Sequence, residues 1–112
     1  MADSQDTPAY RPVDLQQDQF NLLGLATRAG LLVSGFSAVD KALNRRSLSM
    51  LILDDDTGKH TREKLMSKAQ KTGAKVLVLK KLTLQGWSGN KVVGLLTGEL
   101  AKRFEETLKQ EY

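Results

Sequence analysis

The side chains best suited to chemistry are three consecutive acids, Asp54 to Asp56, which follow the apolar run at residues 50–53. Magnesium-dependent phosphatases place an Asp-x-Asp pair at the end of a buried strand, where a carboxylate attacks phosphorus beside a metal ion. Asp54 and Asp56 have this spacing, but Thr57 and Gly58 stand in the reverse of the usual order. The alternative is a strand-to-helix turn, in which Asp56 or Thr57 accepts a backbone N–H at a helix start. The pattern favours the turn and leaves the phosphatase as a lesser alternative.

Other catalytic and metal-binding arrangements do not fit these residues. A Walker A phosphate loop requires a glycine five positions before the Gly58-Lys59 pair, and Leu53 is found there. The single histidine, His60, has no recognisable partner nucleophile, and the chain contains no cysteine that could form a disulfide or a thiolate metal site. These residues therefore form no recognisable catalytic set and no thiolate or histidine-rich metal site.

A second segment, SGFSAVDKALNRR at residues 34–46, offers groups that can bind phosphate. A helix N-terminus beside a glycine presents free N–H groups to an anion, and Ser37 is predicted to cap that helix. Lys41 lies in its first two turns, and Arg45 and Arg46 lie at its other end.

The elements that must position these residues alternate between helical and extended patterns. Helical stripes are predicted from Phe20 to Ala29, after Gly35, from Thr61 to Thr72 and from Leu100 onwards, and they alternate with short continuous apolar runs at residues 31–34, 50–53, 75–79 and 91–96. Alternation of this kind predicts an α/β domain with helices on both faces of a sheet. Residues 1–18 are polar, contain both prolines and predict a flexible or loosely docked tail before a domain at residues 19–112.

The distribution of charge indicates a polyanionic partner. The chain has a net charge of +4, but residues 1–18 hold four acids and one arginine, so residues 19–112 carry 16 basic and 9 acidic side chains, a net charge of +7. A basic compact domain attracts nucleic acid. Because no segment has the pattern of a membrane span or a signal peptide, we expect a cytoplasmic protein with no membrane partner.

Three ordered segments, NLLGLATRAGLLVSG (residues 21–35), AVDKAL (38–43) and DDDTGKHTREKL (54–65), resemble the kink-turn RNA-binding ribosomal protein family. This superfamily comprises the archaeal L-seven-Ae and eukaryotic L-thirty-e proteins, and the chain is most similar to its bacterial YlxQ-type branch. The resemblance runs from about Phe20 to about Thr72 and, less strictly, to the end. It implies a three-layer α/β/α sandwich around a mixed four- or five-stranded sheet, without catalysis or cofactor.

The resemblance also implies where RNA would bind. Family members hold RNA with the N-terminus of the second helix, and Gly35 and Lys41 occupy the glycine and lysine places of that motif. Ser37 and Ala38 stand where the family usually has an Asn-Glu pair that recognises the sheared G·A pairs of the kink-turn. Serine keeps a hydroxyl and alanine keeps no polar group, so the departure bears directly on kink-turn specificity.

A loop before the last strand supplies the family's second RNA contact and corresponds to residues 84–91. Family members usually have small apolar residues there, which touch an extruded base, whereas this chain has Trp87 between glycines. The indole either stacks on an unpaired base or packs inward. The acidic turn would lie beside the same RNA face, with Asp56 accepting hydrogen bonds from the RNA and Lys59 and His60 meeting phosphate.

The sequence thus predicts a small, monomeric, non-catalytic protein that binds structured RNA, ribosomal or kink-turn-like, with ribosomal proteins as further neighbours. The predicted RNA-binding residues are Gly35, Ser37, Lys41, Arg45, Arg46, Asp56, Lys59, His60, Gly86, Trp87, Ser88, Gly89 and Lys91. One alternative is a protein-interaction module on the same fold that has lost RNA binding together with the Asn-Glu pair. The other is the magnesium-dependent phosphatase that uses Asp54 and Asp56.

Overall fold

The computed structural model describes residues 12–80 and 90–110, and helices and strands alternate along them. In chain order the elements are α1 (Gln17–Arg28), β1 (Leu32–Ser34), α2 (Phe36–Asn44), β2 (Leu48–Asp54), α3 (Lys59–Thr72), β3 (Lys75–Leu79), β4 (Val92–Leu96) and α4 (Glu99–Gln110). Of the predicted segments, residues 1–11 of the tail and residues 84–89 of the loop lie outside the described residues. None of the described helices is long and apolar enough to cross a membrane.

The four strands form one mixed sheet in the order β1-β4-β2-β3. Strand β4 runs antiparallel to both of its neighbours, and β2 is parallel to β3. Strands β1, β2 and β3 therefore end at the same edge of the sheet, and β4 begins there. We call this the carboxyl edge, and it brings together the ends of segments that are far apart in the sequence.

Helices cover both faces of the sheet, which confirms the predicted α/β/α sandwich. Alternate side chains of β2 lie on opposite faces of the sheet. Met50 and Ile52 pack with residues of α1 and α4, whereas Leu51 and Leu53 pack with residues of α2 and α3. Phe104 of α4 is fully buried in the first of these layers. Because both faces are covered, β2 can be a continuous apolar run instead of alternating between apolar and polar residues.

Residues 12–18, part of the predicted tail, contact the domain. Val13 forms a parallel bridge to Leu79 of β3. The N–H of Val13 donates to the carbonyl of Val78, and the N–H of Lys80 donates to the carbonyl of Val13. Helix α1 then begins at Gln17. The side chain of Gln19 is buried, accepts the N–H of Gln16 and donates to the hydroxyl of Thr107 on α4. The domain boundary itself stays a prediction.

Three helices end with the same backbone turn, but they use different residues for it. After α1 and α3 the residue in the left-handed conformation is a glycine, Gly30 with φ of 75° and Gly73 with φ of 83°. After α2 it is Arg46, with φ of 57°. The N–H groups of Arg46 and Ser47 bond to the carbonyls of Leu43 and Ala42, which closes a Schellman motif. An arginine therefore occupies a position that favours glycine.

Candidate nucleic-acid interface

Gly35 joins β1 to α2 at the carboxyl edge of the sheet. Its N–H donates to the carbonyl of Val92 at 2.8 Å, and its φ of 94° lies in a region that L side chains rarely adopt. A Cβ at this position would lie 3.6 Å from Oδ1 of Asn90. That distance is an ordinary van der Waals contact, so it is the backbone conformation that favours glycine here.

The first turn of α2 leaves three backbone donors open. Gly35 is the N-cap and provides no side chain, so the first N–H to find a carbonyl is that of Val39, which bonds to Gly35. Within the described residues, no acceptor meets the N–H groups of residues 36–38. The predicted cap by Ser37 is wrong, because the helix starts two residues earlier, with Gly35 as its N-cap, and places Ser37 inside its first turn. The open donors and the positive end of the helix dipole suit an anion.

The acidic turn at the end of β2 is held together by its own atoms. The carboxylate of Asp54, 3% exposed, accepts the N–H of Asp56 at 2.8 Å, and Thr57 donates its hydroxyl to the carbonyl of Asp54 at 2.6 Å. Helix α3 begins after Gly58, which caps it without a side-chain hydrogen bond. The predicted capping role of Asp56 or Thr57 is therefore wrong: Asp54 shapes the turn and no acid caps the helix.

The acidic turn and Gly35 are both hydrogen-bonded to the short piece of chain where β4 begins. The N–H of Asp54 donates to the carbonyl of Lys91 at 2.8 Å, one residue from the carbonyl that accepts Gly35. The ammonium of Lys91 lies 3.0 Å from a carboxylate oxygen of the exposed Asp56. Among the described residues no cluster of three or more acids and histidines is placed to hold a metal ion. The predicted site residues Gly35, Asp56 and Lys91 are thus neighbours.

Ser37, Lys41 and Arg45 form a stripe along one face of α2, since they recur at four-residue spacing. We call these three residues the α2 stripe. Lys41, Arg45 and Arg46 are exposed, and in the described part of the chain no acid forms an ion pair with any of them. Arg45 and Arg46 lie about 15 Å from Gly35, given the rise of a helix, and therefore at the far end of α2 from the carboxyl edge.

A depression of about 440 Å³ runs beside the α2 stripe. We call it the α2 groove. Its walls are the stripe itself, two alanines of the helix, one residue each from β1 and β4, and the residue that follows the helix turn: Val33, Ser37, Ala38, Lys41, Ala42, Arg45, Ser47 and Leu96.

Phe36 is a surface feature that the sequence pattern did not reveal. It is the first residue of α2, its side chain is 37% exposed, and the ammonium of Lys64 on α3 lies 5.2 Å from its ring centre. One turn further along, Lys68 of α3 forms an ion pair with Asp40 of α2. An apolar residue at a helix start is usually assigned to the core. The signal that could have identified Phe36 is its place beside Gly35, where the chain turns at a sheet edge.

The remaining predicted residues divide into two groups. Lys59 and His60 are exposed in the first turn of α3, which starts at the same carboxyl edge as α2. The predicted loop residues Gly86, Trp87, Ser88 and Gly89 lie outside the described residues. The chain on either side, at Lys80 and Asn90, reaches the carboxyl edge, because β3 ends and β4 begins there.

Comparison with known proteins identifies the same fold in several solved structures. A protein of unknown function from Bacillus halodurans C matches with a TM-score of 0.72 and 27% identity over 81% of this chain and 96% of its own. A 15.5kD RNA binding protein from Giardia lamblia matches with a TM-score of 0.72 and 11% identity over 94% of this chain and 96% of its own.

A third match is a ribosome-bound archaeal Pelota, with a TM-score of 0.54 and 22% identity over 73% of this chain and 25% of that chain. This chain therefore corresponds to about a quarter of the Pelota chain. No protein-family model matches the chain, and no curated protein matches it either. The chain thus has the fold of a protein that binds RNA and of about a quarter of a ribosome-bound protein, while the predicted YlxQ-type membership stays a prediction.

Proposed function

We propose that this chain is a small, non-catalytic protein that binds structured RNA across the carboxyl edge of its sheet and along α2. The observation that carries the proposal is the meeting, at one edge, of the open N–H groups of α2 with an exposed cation at the start of α3 and another just before β4. Open amides and the helix dipole suit one phosphate, and Lys59 and Lys91 suit its neighbours along the strand.

The α2 stripe extends this surface away from the carboxyl edge. Lys41 and Arg45 follow the open amides at intervals of about 6 Å, given the helix rise over four residues. Phosphates along one RNA strand are separated by a similar distance, so successive phosphates can meet the helix start and the two cations. Arginine can also grip a phosphate with two parallel hydrogen bonds. The α2 stripe therefore extends the proposed footprint along the strand.

Recognition of kink-turn RNA is the finer part of the proposal. The fold resembles that of the Giardia RNA binding protein, and Gly35 and Lys41 keep the places they occupy in the kink-turn family motif. Ser37 has a hydroxyl that is exposed in the first turn of α2, so it can donate to a base edge or a sugar. Ala38 has no such group. We therefore propose recognition mainly by RNA shape and backbone, with fewer base-specific hydrogen bonds than an Asn-Glu pair would form.

The phosphatase alternative gains no support from this geometry. A nucleophilic carboxylate must reach the phosphorus atom, whereas the carboxylate of Asp54 is buried and accepts a backbone N–H of its own turn. The carboxylate of Asp56 is exposed and lies beside Lys91. The arrangement is that of a structural turn with a surface ion pair.

A titration with two RNAs tests the proposal directly. One RNA contains a kink-turn, and the other is identical except that its sheared G·A pairs are replaced. Binding is measured by gel shift and by the fluorescence of Trp87, the single tryptophan, at low and at physiological salt. We expect affinity to fall as salt rises, because bound phosphates release counterions. Stronger binding of the intact kink-turn would support the finer proposal, and equal binding of both RNAs would limit it to structured RNA in general.

A protein-interaction module is the second candidate, and one observation favours it. A groove of about 420 Å³ lies between α1 and α4, on the opposite face from α2, and is lined by Asp18, Asn21, Leu22, Leu25, Arg103, Glu106 and Thr107. Leu25 is 43% exposed, which makes it an available apolar anchor for a partner protein. If neither RNA binds at low salt, this candidate takes precedence.

A further inference from the structure

The α2 groove exists because two neighbouring elements leave space between them. Ala38 and Ala42 present only methyl groups on the flank of α2, and β1 is a three-residue strand at the margin of the sheet. Val33 and Leu96 are only partly buried and close the groove from the sheet side. The result is an apolar floor that remains open to solvent.

The rim of the α2 groove is cationic. Lys41 and Arg45 stand one helix turn apart along it, and the ion pairs of the described acids are formed with Lys68, Lys75 and Lys91 instead. The hydroxyl of Ser37 makes no hydrogen bond within the described residues, whereas that of Ser47 donates to the carbonyl of Ala42 at 3.2 Å. The groove therefore combines an apolar floor with two cations and one available hydroxyl on its rim.

We propose that the α2 groove binds a single unstacked nucleotide of the RNA strand, with the base on the floor and its phosphate on the cationic rim that Lys41 and Arg45 form. A volume of about 440 Å³ is within the range of small-ligand sites. Inorganic phosphate would use the cations but leave the apolar floor empty, and a purely apolar ligand would leave both cations without a partner. A nucleotide matches both parts, because it joins a flat, largely apolar base to an anion. The inference rests on the proposed RNA binding and adds a contact with a base to the phosphate contacts already proposed along α2.

The test begins with small probes and the intact chain. Amide chemical shifts of the ¹⁵N-labelled protein are followed during titration with uridine monophosphate and adenosine monophosphate, and separately with uridine and inorganic phosphate. We expect saturable shifts at Val33, Ser37, Ser47 and Leu96 with both nucleotides, and affinities at least about tenfold weaker for the nucleoside and for phosphate, since each lacks one half of the ligand. Equal affinity for phosphate and nucleotide, or nucleotide shifts confined to other surfaces, would overturn the inference.

Two variants then connect the groove to RNA. Ala38→Leu fills the floor from the helix side, and Leu96→Ala removes part of the floor from the sheet side, away from the open amides of α2. We expect each to weaken RNA binding by about tenfold, equivalent to about 1.4 kcal/mol. Lys102→Ala on α4 is the matched control and should bind RNA like the parent chain. Amide spectra of each variant establish that it is folded.

The outcomes separate this inference from the proposed function. If the parent chain and both floor variants bind RNA equally, the α2 groove is not a nucleotide site, although RNA binding stands. If no RNA binds but nucleotides saturate the groove, the proposed function fails. The inference is then overturned as well, because the groove would bind free nucleotides and not a nucleotide of an RNA strand. Loss of both nucleotide and RNA affinity in the floor variants would support the inference.

Discussion

The two helical layers of this protein cover opposite faces of the same sheet, but their surfaces differ in net charge. Helix α2 with its C-terminal turn and helix α3, residues 36–46 and 59–72, hold eight basic and two acidic side chains, a net charge of +6. Helices α1 and α4 together hold four basic and four acidic side chains, so their charges cancel. The modest net charge of the whole chain therefore conceals a strongly basic face. For a domain of this size, the partner is indicated by the charge of each layer and not by the total.

The largest expected effect on RNA affinity comes from removing two charges from the basic layer. In Lys41→Ala/Arg45→Ala, loss of two phosphate contacts should weaken RNA binding by about 3 kcal/mol or more, since a hydrogen bond to a charged group contributes about 1.5–3 kcal/mol. The slope of log affinity against log salt should also fall by about 2. Fluorescence polarisation of a labelled RNA over a range of salt concentrations measures both quantities.

The matched control for this variant is Lys102→Ala/Arg103→Ala, which removes the same number of charges from α4. It should change RNA affinity little, because α4 faces away from the proposed site. Equal losses in the two double variants would mean that affinity follows net charge alone, and the distinction between the layers would have no functional meaning.

The exposed apolar residues allow the same comparison without a change of charge. Phe36 on the basic face and Leu25 on the neutral face are exposed to similar extents, 37% and 43%. If a base stacks on Phe36, Phe36→Ala should cost about 1–3 kcal/mol of RNA affinity. Leu25→Ala should leave that affinity unchanged. Direct titration of both variants provides the measurement, and a loss with Leu25→Ala alone would favour the neutral face and the protein-interaction candidate.

Asp54 tests whether an acid on the basic face belongs to the scaffold. Its carboxylate accepts the N–H of Asp56, so Asp54→Ala should lower the free energy of unfolding by about 1–2 kcal/mol through the lost acceptor. Asp54→Asn keeps an acceptor oxygen of the same size and should cost less. Urea unfolding of both variants gives the difference. A phosphatase activity that disappears in Asp54→Asn at unchanged stability would contradict the structural role.

Most of the fold could be predicted because its pattern is local. The apolar runs, the helical stripes and the glycines after α1 and α3 mark the elements directly, and the two-sided burial of β2 follows from its unbroken apolar sequence. The capping of α2 and α3 was predicted wrongly. Serine, aspartate and threonine all favour N-cap positions, but Gly35 and Gly58 occupy them. Gly35 has the positive φ that the turn into α2 requires, whereas Gly58 has an ordinary φ of −58° and nothing in its surroundings requires a glycine.

The site was less predictable because it depends on neighbours that are distant in the sequence. Gly35, Asp56 and Lys91 meet only through the strand order β1-β4-β2, which no single segment reveals. Phe36 is of a residue type that usually lies in the core, and its exposure follows from its place at the start of a helix. The α2 groove likewise depends on β1 being a short marginal strand, a property of the sheet as a whole.

The smallest expected effect concerns Arg46, where stability and binding should change in opposite directions. Arg46 holds the left-handed position of the Schellman motif after α2, which costs a non-glycine residue about 1 kcal/mol. Arg46→Gly should therefore raise the free energy of unfolding by about 0.5–1 kcal/mol while weakening RNA binding through the lost charge. Arg46→Lys retains both the strain and a positive charge, so it should leave stability unchanged and preserve most of the affinity. Urea unfolding measures the stability of the two variants, and RNA titration measures their affinity. A glycine variant that is more stable and binds RNA as well as the parent chain would exclude Arg46 from the site, since nothing functional would then offset the strain.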